Sequence, residues 1–355
     1  MPELIEQLSD DAIELLKQLI QTPSFSREEA GTAAILANFL TQHGIPAQRQ
    51  GNNVWAVSLN YDVRKPTILL NSHHDTVKPG VAWTYAPFGA VLEGDKLTGL
   101  GSNDAGAAAV SLLATFRYFY ARNTAFNLIC AITAEEEISG ANGIKSVLPI
   151  LGKIDLGIVG EPTGMHAAVA EKGLLVLDGL AHGRTGHAAR NEGENALYKA
   201  LDDVAWLRNY QFPQVSPLLG PVKMTVTQIS AGTQHNVVPD ECRYVVDVRP
   251  TECYSNEEIL ATVRAHVQAE ITPRSTHLQS SGISLEHPIV RKAVTMSKNA
   301  YGSPTLSDQA LMRFNTLKMG PGDSARSHAP DEYILLSEIR AGVADYIELL
   351  TDFEL

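Results

Sequence analysis

The chain contains short apolar segments that alternate with longer segments of helical periodicity, and this order most constrains its fold. Residues 67–70 read TILL, residues 126–133 read FNLICAIT and residues 155–160 read DLGIVG. Each is apolar at successive positions, which is typical of a strand whose two faces are both covered. Strands of this kind that alternate with helices predict an α/β fold with a mostly parallel sheet.

The helical segments are recognised by their spacing of apolar residues. A first helix is predicted over 10–20, with Ser9 or Asp10 as its cap. A second helix is predicted over 28–42, and a third over the alanine-rich segment 104–120. These helices would cover the faces of the predicted sheet.

The middle of the chain has a different order of elements. Strand-like and helix-like segments follow one another as β-α-β-β-α-β, which is the order of a ferredoxin-like sandwich. Its clearest segments are residues 174–180, 195–207, 222–229, 242–248 and 256–268. The α/β pattern then resumes, in residues 308–317 and 334–350. We therefore expect a discontinuous α/β domain of residues 1–165 and 284–355, with an inserted ferredoxin-like α+β domain of residues 166–283.

Composition and charge exclude several classes of protein. The chain has 355 residues, of which 44% are hydrophobic, and a net charge of −12. This charge argues against a nucleic-acid partner and against an anionic membrane surface. The acidic amino terminus does not have the features of a signal peptide, and we find no apolar run of about 18 residues. Three widely spaced cysteines are most simply free thiols, so a cytoplasmic location is expected.

Side chains suited to metal binding follow the predicted strands. The motifs are NSHHD at 71–75, GLGSND at 99–104, TAEEEISG at 133–140, VGEPT at 159–163 and GPGDSARSHAPDEY at 320–333. Ligands bind beyond the carboxyl ends of strands in open α/β sheets, so these motifs are expected to converge. Imidazole and carboxylate without thiolate suit zinc, cobalt or manganese. So many carboxylates favour two ions that share a bridging carboxylate.

These five motifs, in this order, resemble those of the M20 metallopeptidases. The resemblance implies that His73 and Glu161 bind one metal ion, that Glu137 and His328 bind the other, and that Asp104 bridges both. Glu136 would be the general base. Asp75 would also be a catalytic-site residue and would support His73. A shift of the alignment by one residue would make Glu135 the base instead. The resemblance also implies a cis peptide bond between Asp104 and Ala105.

Further roles follow from the same resemblance. It implies that residues 1–165 and 284–355 form the catalytic domain and that residues 166–283 form a lid and dimerisation domain. His187, in GRTGHAAR, would reach across a homodimer formed by the lid domains and polarise the scissile carbonyl. Asn236, in QHNVVPD, and Arg249, in DVRP, would bind the substrate, and Arg249 is suited to clamping a carboxylate. Gly322, in the loop that carries His328, is assigned to substrate binding as well.

The stretches GLGSNDAGAAAVSLLATF and GPGDSARSHAPDEYI are most similar to the acetylornithine deacetylase branch of the family. This implies hydrolysis of a small N-acyl amino acid in arginine biosynthesis by an enzyme with two divalent metal ions. Zinc is the expected metal, and cobalt or manganese is the alternative. N-acetylornithine, N-acetylcitrulline and N-succinylornithine all fit. A succinyl group would need an additional cation, for which Lys172, Arg313 and Arg326 are candidates.

Other functions remain open at this point. A di- or tripeptidase, or an enzyme similar to succinyl-diaminopimelate desuccinylase, would use the same metal ligands. A non-catalytic binding protein on the same fold is a more remote alternative, because it would be expected to lack a ligand or the general base, and all of these residues are present.

The two adjacent histidines of NSHHD provide a first test. In a strand, residues i and i+2 share a face and residue i+1 points away, so His73 is expected to act with Asp75 and His74 is not. His73→Ala should therefore lose most activity and the metal ion that His73 shares with Glu161, whereas His74→Ala should cost far less of either. Metal analysis and amide-hydrolysis assays of both variants check this, and equal losses would contradict it.

Overall fold

The computed structural model describes residues 2–355. Its helices are α1 (Pro2–Ile20), α2 (Ala30–Gln42), α3 (Ala107–Phe119), α4 (Ile144–Leu151), α5 (Ala196–Asn209), α6 (Asn256–His266), α7 (Pro288–Thr295) and α8 (Leu336–Leu350). Its strands are β1 (Gln48–Gln50), β2 (Asn53–Val57), β3 (Thr67–His73), β4 (Val91–Glu93), β5 (Lys96–Thr98), β6 (Asn127–Thr133), β7 (Leu156–Val159), β8 (Ala167–Glu171), β9 (Leu175–His182), β10 (Lys223–Ala231), β11 (Glu241–Arg249), β12 (Glu270–Pro273), β13 (Ser281–Gly282), β14 (Ala300–Ser303), β15 (Asn315–Lys318) and β16 (Tyr333–Leu335).

The chain divides into two compact units. The first unit runs to Val169 and resumes over Ile283–Tyr301 and Ser307–Leu355. The second unit consists of Ala170–Gly282 and Gly302–Leu306. The domain boundaries predicted from the sequence, after residues 165 and 283, concern a catalytic and a lid domain, and they stay a prediction.

The first unit is built on a mixed sheet whose central strands are parallel. Its strands lie in the order β1-β2-β6-β3-β7-β15-β8. The four strands β6, β3, β7 and β15 run parallel to one another, and antiparallel strands flank them on both sides. The predicted α/β class with a mostly parallel central sheet is confirmed.

The register of the parallel strands determines which motifs meet. Every residue of β3 and of β6 is buried, as expected for strands that helices cover on both faces. His73 pairs with Thr133, so β3 and β6 end at the same level of the sheet. On the other side of β3, Asn71 pairs with Val159 at the end of β7. The residues that follow these three strands are therefore neighbours.

Helix α3 packs closely on this sheet because its first turn is alanine. Ala107, Ala108 and Ala109 are all buried. A Cβ atom at Gly160 would lie 2.8 Å from the Leu112 side chain and 3.0 Å from the Cβ of Ala108. Glycine is thus required just after β7, where the helix and the sheet are in direct contact.

Two predicted helix starts are wrong. Helix α1 begins at Pro2 rather than near Asp10, because Ile5 and Leu8 continue the apolar stripe onto the core, and proline is tolerated in a first turn. The helix predicted from Asp104 begins at Ala107, because the backbone at Asp104 is extended, with φ −114° and ψ 99°.

The second unit has its own core. Its elements follow the order β9-α5-β10-β11-α6-β12, and its antiparallel sheet has the strand order β10-β11-β9-β12. Apolar residues of both helices pack on one face of the sheet. This is the ferredoxin-like arrangement that the sequence predicts. Among residues 2–355, no helix is long and apolar enough to span a membrane.

Candidate active site

His73 is the last residue of β3 and is buried at the edge of the sheet. Its Nδ1 atom lies 3.0 Å from the main-chain oxygen of Asp75 and 3.5 Å from the Asp75 carboxylate. Its Nε2 atom is 3.3 Å from Asp104 Oδ1 and 3.7 Å from Glu161 Oε1. One ring nitrogen is therefore held by Asp75, and the other points at two carboxylates, which is typical of a metal-binding histidine.

His74 lies outside this cluster. Its Nδ1 atom is 2.8 Å from the Thr32 hydroxyl, and its Nε2 atom is 3.0 Å from the main-chain oxygen of Asn52. Burial lowers the pKa of His74 to about 4. The two histidines thus point to different surroundings, as alternation along a strand requires.

The side chain of Asp75 organises the turn that follows β6. It accepts hydrogen bonds from the backbone N–H of Glu136 at 3.0 Å, from that of Glu137 at 3.2 Å and from the Ser26 hydroxyl at 2.7 Å. Asp75 therefore positions both His73 and the two glutamates after β6.

The three consecutive glutamates have different neighbours. Glu135 is buried and accepts a hydrogen bond from the Asn142 amide at 2.9 Å. Glu136 Oε2 lies 3.9 Å from His73 Nε2, and Glu137 Oε2 lies 3.0 Å from His328 Nε2. The Glu135 side chain bonds to Asn142, whereas those of Glu136 and Glu137 lie next to the two histidines. This geometry agrees with the alignment that makes Glu136 the base, although the role itself stays a prediction.

The cluster contains two groups that could hold metal ions. One consists of His73, Asp104 and Glu161, and the other of Asp104, Glu137 and His328, with the donor atoms of each group within 4.8 Å of one another. Asp104 belongs to both groups, and its Oδ2 atom lies 3.6 Å from His328 Nε2. The structure thus brings together the five residues predicted as ligands, and their role as ligands stays a prediction.

The electrostatics of the cluster favour bound cations. Burial, together with the charge of Asp104, raises the pKa of Glu161 to about 8 against the opposing effect of His73. Burial also raises the pKa of Glu136 well above its ordinary value. The hydrogen bond to Glu137 raises the pKa of His328 to about 9. Several carboxylates held close together out of water need positive charge among them.

The donor set and its spacing fit divalent metal ions. Ligands of a tetrahedral zinc ion at about 2.0–2.1 Å lie roughly 3.3–3.4 Å from one another. The distance between His73 Nε2 and Asp104 Oδ1 is 3.3 Å, and that between His328 Nε2 and Glu137 Oε2 is 3.0 Å. Imidazole nitrogen and carboxylate oxygen are ligands that zinc, cobalt and manganese accept.

Asp104 itself lies in an irregular turn between β5 and α3. The Asp104–Ala105 peptide bond is cis, as predicted. The N–H groups around it are bound by the buried carboxylate of Glu332. Glu332 belongs to the motif GPGDSARSHAPDEY, but the sequence does not distinguish it from the other polar residues of that motif. A pattern of residues does not distinguish a buried acceptor of backbone hydrogen bonds from a carboxylate in water.

Three residues of the second unit are predicted to bind the substrate, and two of them are neighbours. His187 forms an isolated β-bridge with Val237, and the Ala188 N–H donates to the main-chain oxygen of Asn236 at 3.0 Å, so His187 and Asn236 are neighbours. Arg249 ends β11 and binds Asp247 in a bidentate ion pair, at 2.8 and 3.0 Å.

Two other predicted residues lie in the first unit and have structural partners. Gly322 has φ +95°, and a Cβ atom there would lie 2.4 Å from Asn103 Oδ1, so both conformation and space require glycine. Arg326 is bound by Glu338 at 2.7 and 3.1 Å, so its guanidinium group is already paired with a carboxylate, as that of Arg249 is.

These features define an α/β protein with a candidate dinuclear metal centre beyond the ends of its parallel strands. The model of peptidase family M20/M25/M40 matches residues 69–352, which is more than half of the chain. The chain therefore belongs to this family of hydrolases.

Individual relatives and structures agree with this assignment. Succinyl-diaminopimelate desuccinylase of Halorhodospira halophila is 25% identical, and the match covers 95% of this chain and 97% of the relative. Aminopeptidase PepT of Bacillus cereus has a similar structure, with a TM-score of 0.79, 16% identity and coverage of 97% and 98% of the two chains. The YXEP protein of Bacillus subtilis, a dinuclear metal binding peptidase, superposes with a TM-score of 0.74 at 15% identity and covers 98% and 100%. These two structures support the fold.

Substitutions in the triple glutamate test the assignment of ligands. Glu137→Gln should bind roughly half the metal of the unmodified protein, because a neutral amide is a poor ligand and only one of two sites uses Glu137. Glu135→Gln, in the same turn, should retain both ions. Metal content after dialysis against buffered zinc measures both. Loss of metal in Glu135→Gln with full content in Glu137→Gln would show that the alignment is shifted.

Proposed function

We propose that this chain is a metal-dependent hydrolase that cleaves the amide bond of an N-acyl amino acid, similar to acetylornithine deacetylase and acting in arginine biosynthesis. The observation that carries the proposal is the convergence of His73, Glu161, Glu137 and His328 on Asp104, with Glu136 beside them. Carboxylate-rich dinuclear sites are suited to hydrolysis because they act on both the water and the scissile bond.

The metal ions are proposed to be zinc, with cobalt or manganese as alternatives, because the ligands are imidazole and carboxylate without thiolate. His73 and Glu161 would hold one ion, Glu137 and His328 the other, and Asp104 both. When bound, such ions polarise a carbonyl group and make water more acidic.

Glu136 is the proposed general base. Its carboxylate lies 3.9 Å from His73 Nε2 and is not one of the proposed ligands. Burial raises its pKa well above the ordinary value. A carboxylate with a raised pKa is a better proton acceptor than an ordinary one. Glu136 would take a proton from the attacking water and then transfer it to the departing amine.

The second unit is proposed to bind and orient the substrate. His187 would donate a hydrogen bond to the oxygen of the scissile carbonyl, where negative charge develops. It would do so from the other subunit of a homodimer formed through the lid domains. Asn236, next to His187, and Gly322 are proposed to contact the substrate as well.

The positive charges around Arg249 support the proposal that the substrate has a free carboxylate. Lys223 pairs with Arg249 in the register of β10 and β11. Lys172 donates a hydrogen bond to the main-chain oxygen of Pro221 at 3.1 Å, and burial together with the charges of Lys223 and Arg249 lowers its pKa. Three cations therefore lie near one another, with the Asp247 carboxylate paired to Arg249. Such a group would attract a carboxylate.

The acyl group and the amino acid are tested by a substrate panel. We expect N-acetylornithine, N-acetylcitrulline or N-succinylornithine to have a kcat/KM at least about tenfold above those of dipeptides. The match to succinyl-diaminopimelate desuccinylase supports the second candidate, N-succinyl-diaminopimelate, which belongs in the same panel. The resemblance in fold to a PepT aminopeptidase makes tripeptides a necessary comparison. No hydrolysis of the three arginine-pathway substrates would exclude that pathway.

Glu136→Gln tests the mechanism. The amide is nearly the same size as the carboxylate but does not accept a proton, so kcat should fall on the order of 10²–10⁴-fold. Metal content should remain that of the unmodified protein. Glu135→Gln is the control, because Glu135 lies in the same turn but is bonded to Asn142. Near-normal turnover of Glu136→Gln would rule Glu136 out as the base.

A further inference from the structure

Glu332 is a buried carboxylate that binds the backbone of another loop. Only 2% of its surface is exposed. Its Oε1 atom accepts hydrogen bonds from the N–H of Asn103 at 2.8 Å and of Asp104 at 2.9 Å, and its Oε2 atom accepts one from Gly101 at 3.0 Å. The Gly99 N–H also donates to the main-chain oxygen of Glu332, at 2.9 Å. The turn that carries Asp104 is therefore wrapped around this one side chain.

The side chain of Asn103 makes a second connection, this time from the Asp104 turn to the loop that carries His328. It is fully buried, and its Nδ2 atom donates to the main-chain oxygen of Asp323 at 3.1 Å and to the Ser327 hydroxyl at 3.3 Å. Its Oδ1 atom accepts from the Asp323 N–H at 3.0 Å. Glycine at 322 leaves room for this amide, because a Cβ atom there would overlap Asn103 Oδ1.

The two connected loops each carry a member of the proposed metal centre. Asp104 lies on the first loop. His328 lies on the second, four residues before Glu332, and is itself more than half exposed. His328 Nε2 is 3.6 Å from Asp104 Oδ2 and 3.0 Å from Glu137 Oε2. The exposed histidine thus depends on the buried contacts of its own loop for its position.

We propose that Glu332 is a positioning residue for metal binding, which fastens the Asp104 turn to the loop of His328 so that both side chains reach the same ion. This proposal rests on the proposed function, in that it assumes that Asp104 and His328 bind metal. Glu332 does not itself contact the metal or the substrate; it acts through the backbone of residues 101–104.

The physical basis is the match between one acceptor group and three donors. Burial raises the pKa of Glu332 to about 7, and the backbone hydrogen bonds act against this rise because they favour the ionised form. In that form the carboxylate only accepts hydrogen bonds, so its two oxygens satisfy all three N–H groups. A glutamine at 332 would keep one acceptor oxygen and would turn an NH₂ group towards N–H donors. At least one buried N–H would lose its partner, and the turn would shift to relieve this. Groups that orient metal ligands in this way typically account for about 10–100-fold in metal affinity or activity.

The experiment is a metal titration of the full-length chain. Metal-free protein is titrated with Co²⁺ in competition with a chelator of known affinity, and the visible absorption spectrum of the bound Co²⁺ is recorded. Glu332→Gln should bind the ion about 10–100-fold more weakly than the unmodified protein, with an altered Co²⁺ spectrum. Added metal should restore much of its kcat, and KM for the substrate should change little.

Asp203→Asn is the matched control. Asp203 is also a buried carboxylate, and it accepts backbone hydrogen bonds from Gln268 at 2.8 Å and Ala269 at 3.0 Å, but in the second unit. Its substitution should lower the temperature of unfolding without changing Co²⁺ affinity or the Co²⁺ spectrum. The control separates a general loss of stability from an effect on the metal ligands.

The outcomes distinguish the two proposals. Failure of the unmodified protein to bind Co²⁺, Zn²⁺ or Mn²⁺ would overturn the proposed function. Normal metal binding by the unmodified protein and an unchanged affinity and spectrum in Glu332→Gln would overturn only the role of Glu332. If Glu332→Gln does not fold, the titration is made on Glu332→Asp, which keeps the charge but is too short to reach all three donors. Unchanged binding in that variant overturns the role equally.

Discussion

Negative charge held out of water at one edge of a parallel sheet is the constraint on which the rest of this structure depends. Glu136 and Glu161 lie beside His73, where burial raises the pKa of both carboxyl groups. Asp104 lies there too, and against the effect of burial the hydrogen bond to His73 lowers its pKa. A cluster of this kind is stable only if cations or protons offset its charge, so the donor set of a metal centre follows from electrostatics as well as from family membership. The parallel strands β3, β6 and β7 bring these charges together because they end at the same edge of the sheet.

The loops that carry the donor residues are held by a surrounding layer of hydrogen bonds to buried carboxylates. Asp75 binds the backbone of Glu136 and Glu137, and Glu332 binds that of Asp104. Glu29, which is fully buried, accepts from the N–H of Glu135 at 3.2 Å. Irregular backbone leaves N–H groups without partners in a helix or strand, and ionised carboxylates satisfy them. The same side chains therefore stabilise the fold and set the geometry of the site.

The two units carry different groups of the proposed site residues. The first unit has a closely packed core and contains all the proposed metal ligands. The second unit presents Arg249 with neighbouring cations, and it carries His187 and Asn236 on adjacent segments. Membership of the peptidase family M20/M25/M40 establishes hydrolytic chemistry for the chain as a whole. Proteins similar to this chain have names as different as succinyl-diaminopimelate desuccinylase and aminopeptidase PepT, so membership of the family does not by itself specify the substrate.

The sequence by itself determined the α/β class and the βαββαβ order of the second unit, because apolar strands and helical spacing are local patterns. Its five motifs predicted the residues of the candidate metal centre through their resemblance to those of a known family. It did not place the start of α1 or of α3, since helix ends depend on what the neighbouring residues contact. The sequence left open a shift of one residue among Glu135, Glu136 and Glu137, because the three side chains are identical. The tertiary structure shows their different partners, with Glu135 bonded to Asn142 and the other two beside the histidines. It alone revealed Glu332, because a carboxylate becomes a buried acceptor only when a distant turn folds around it.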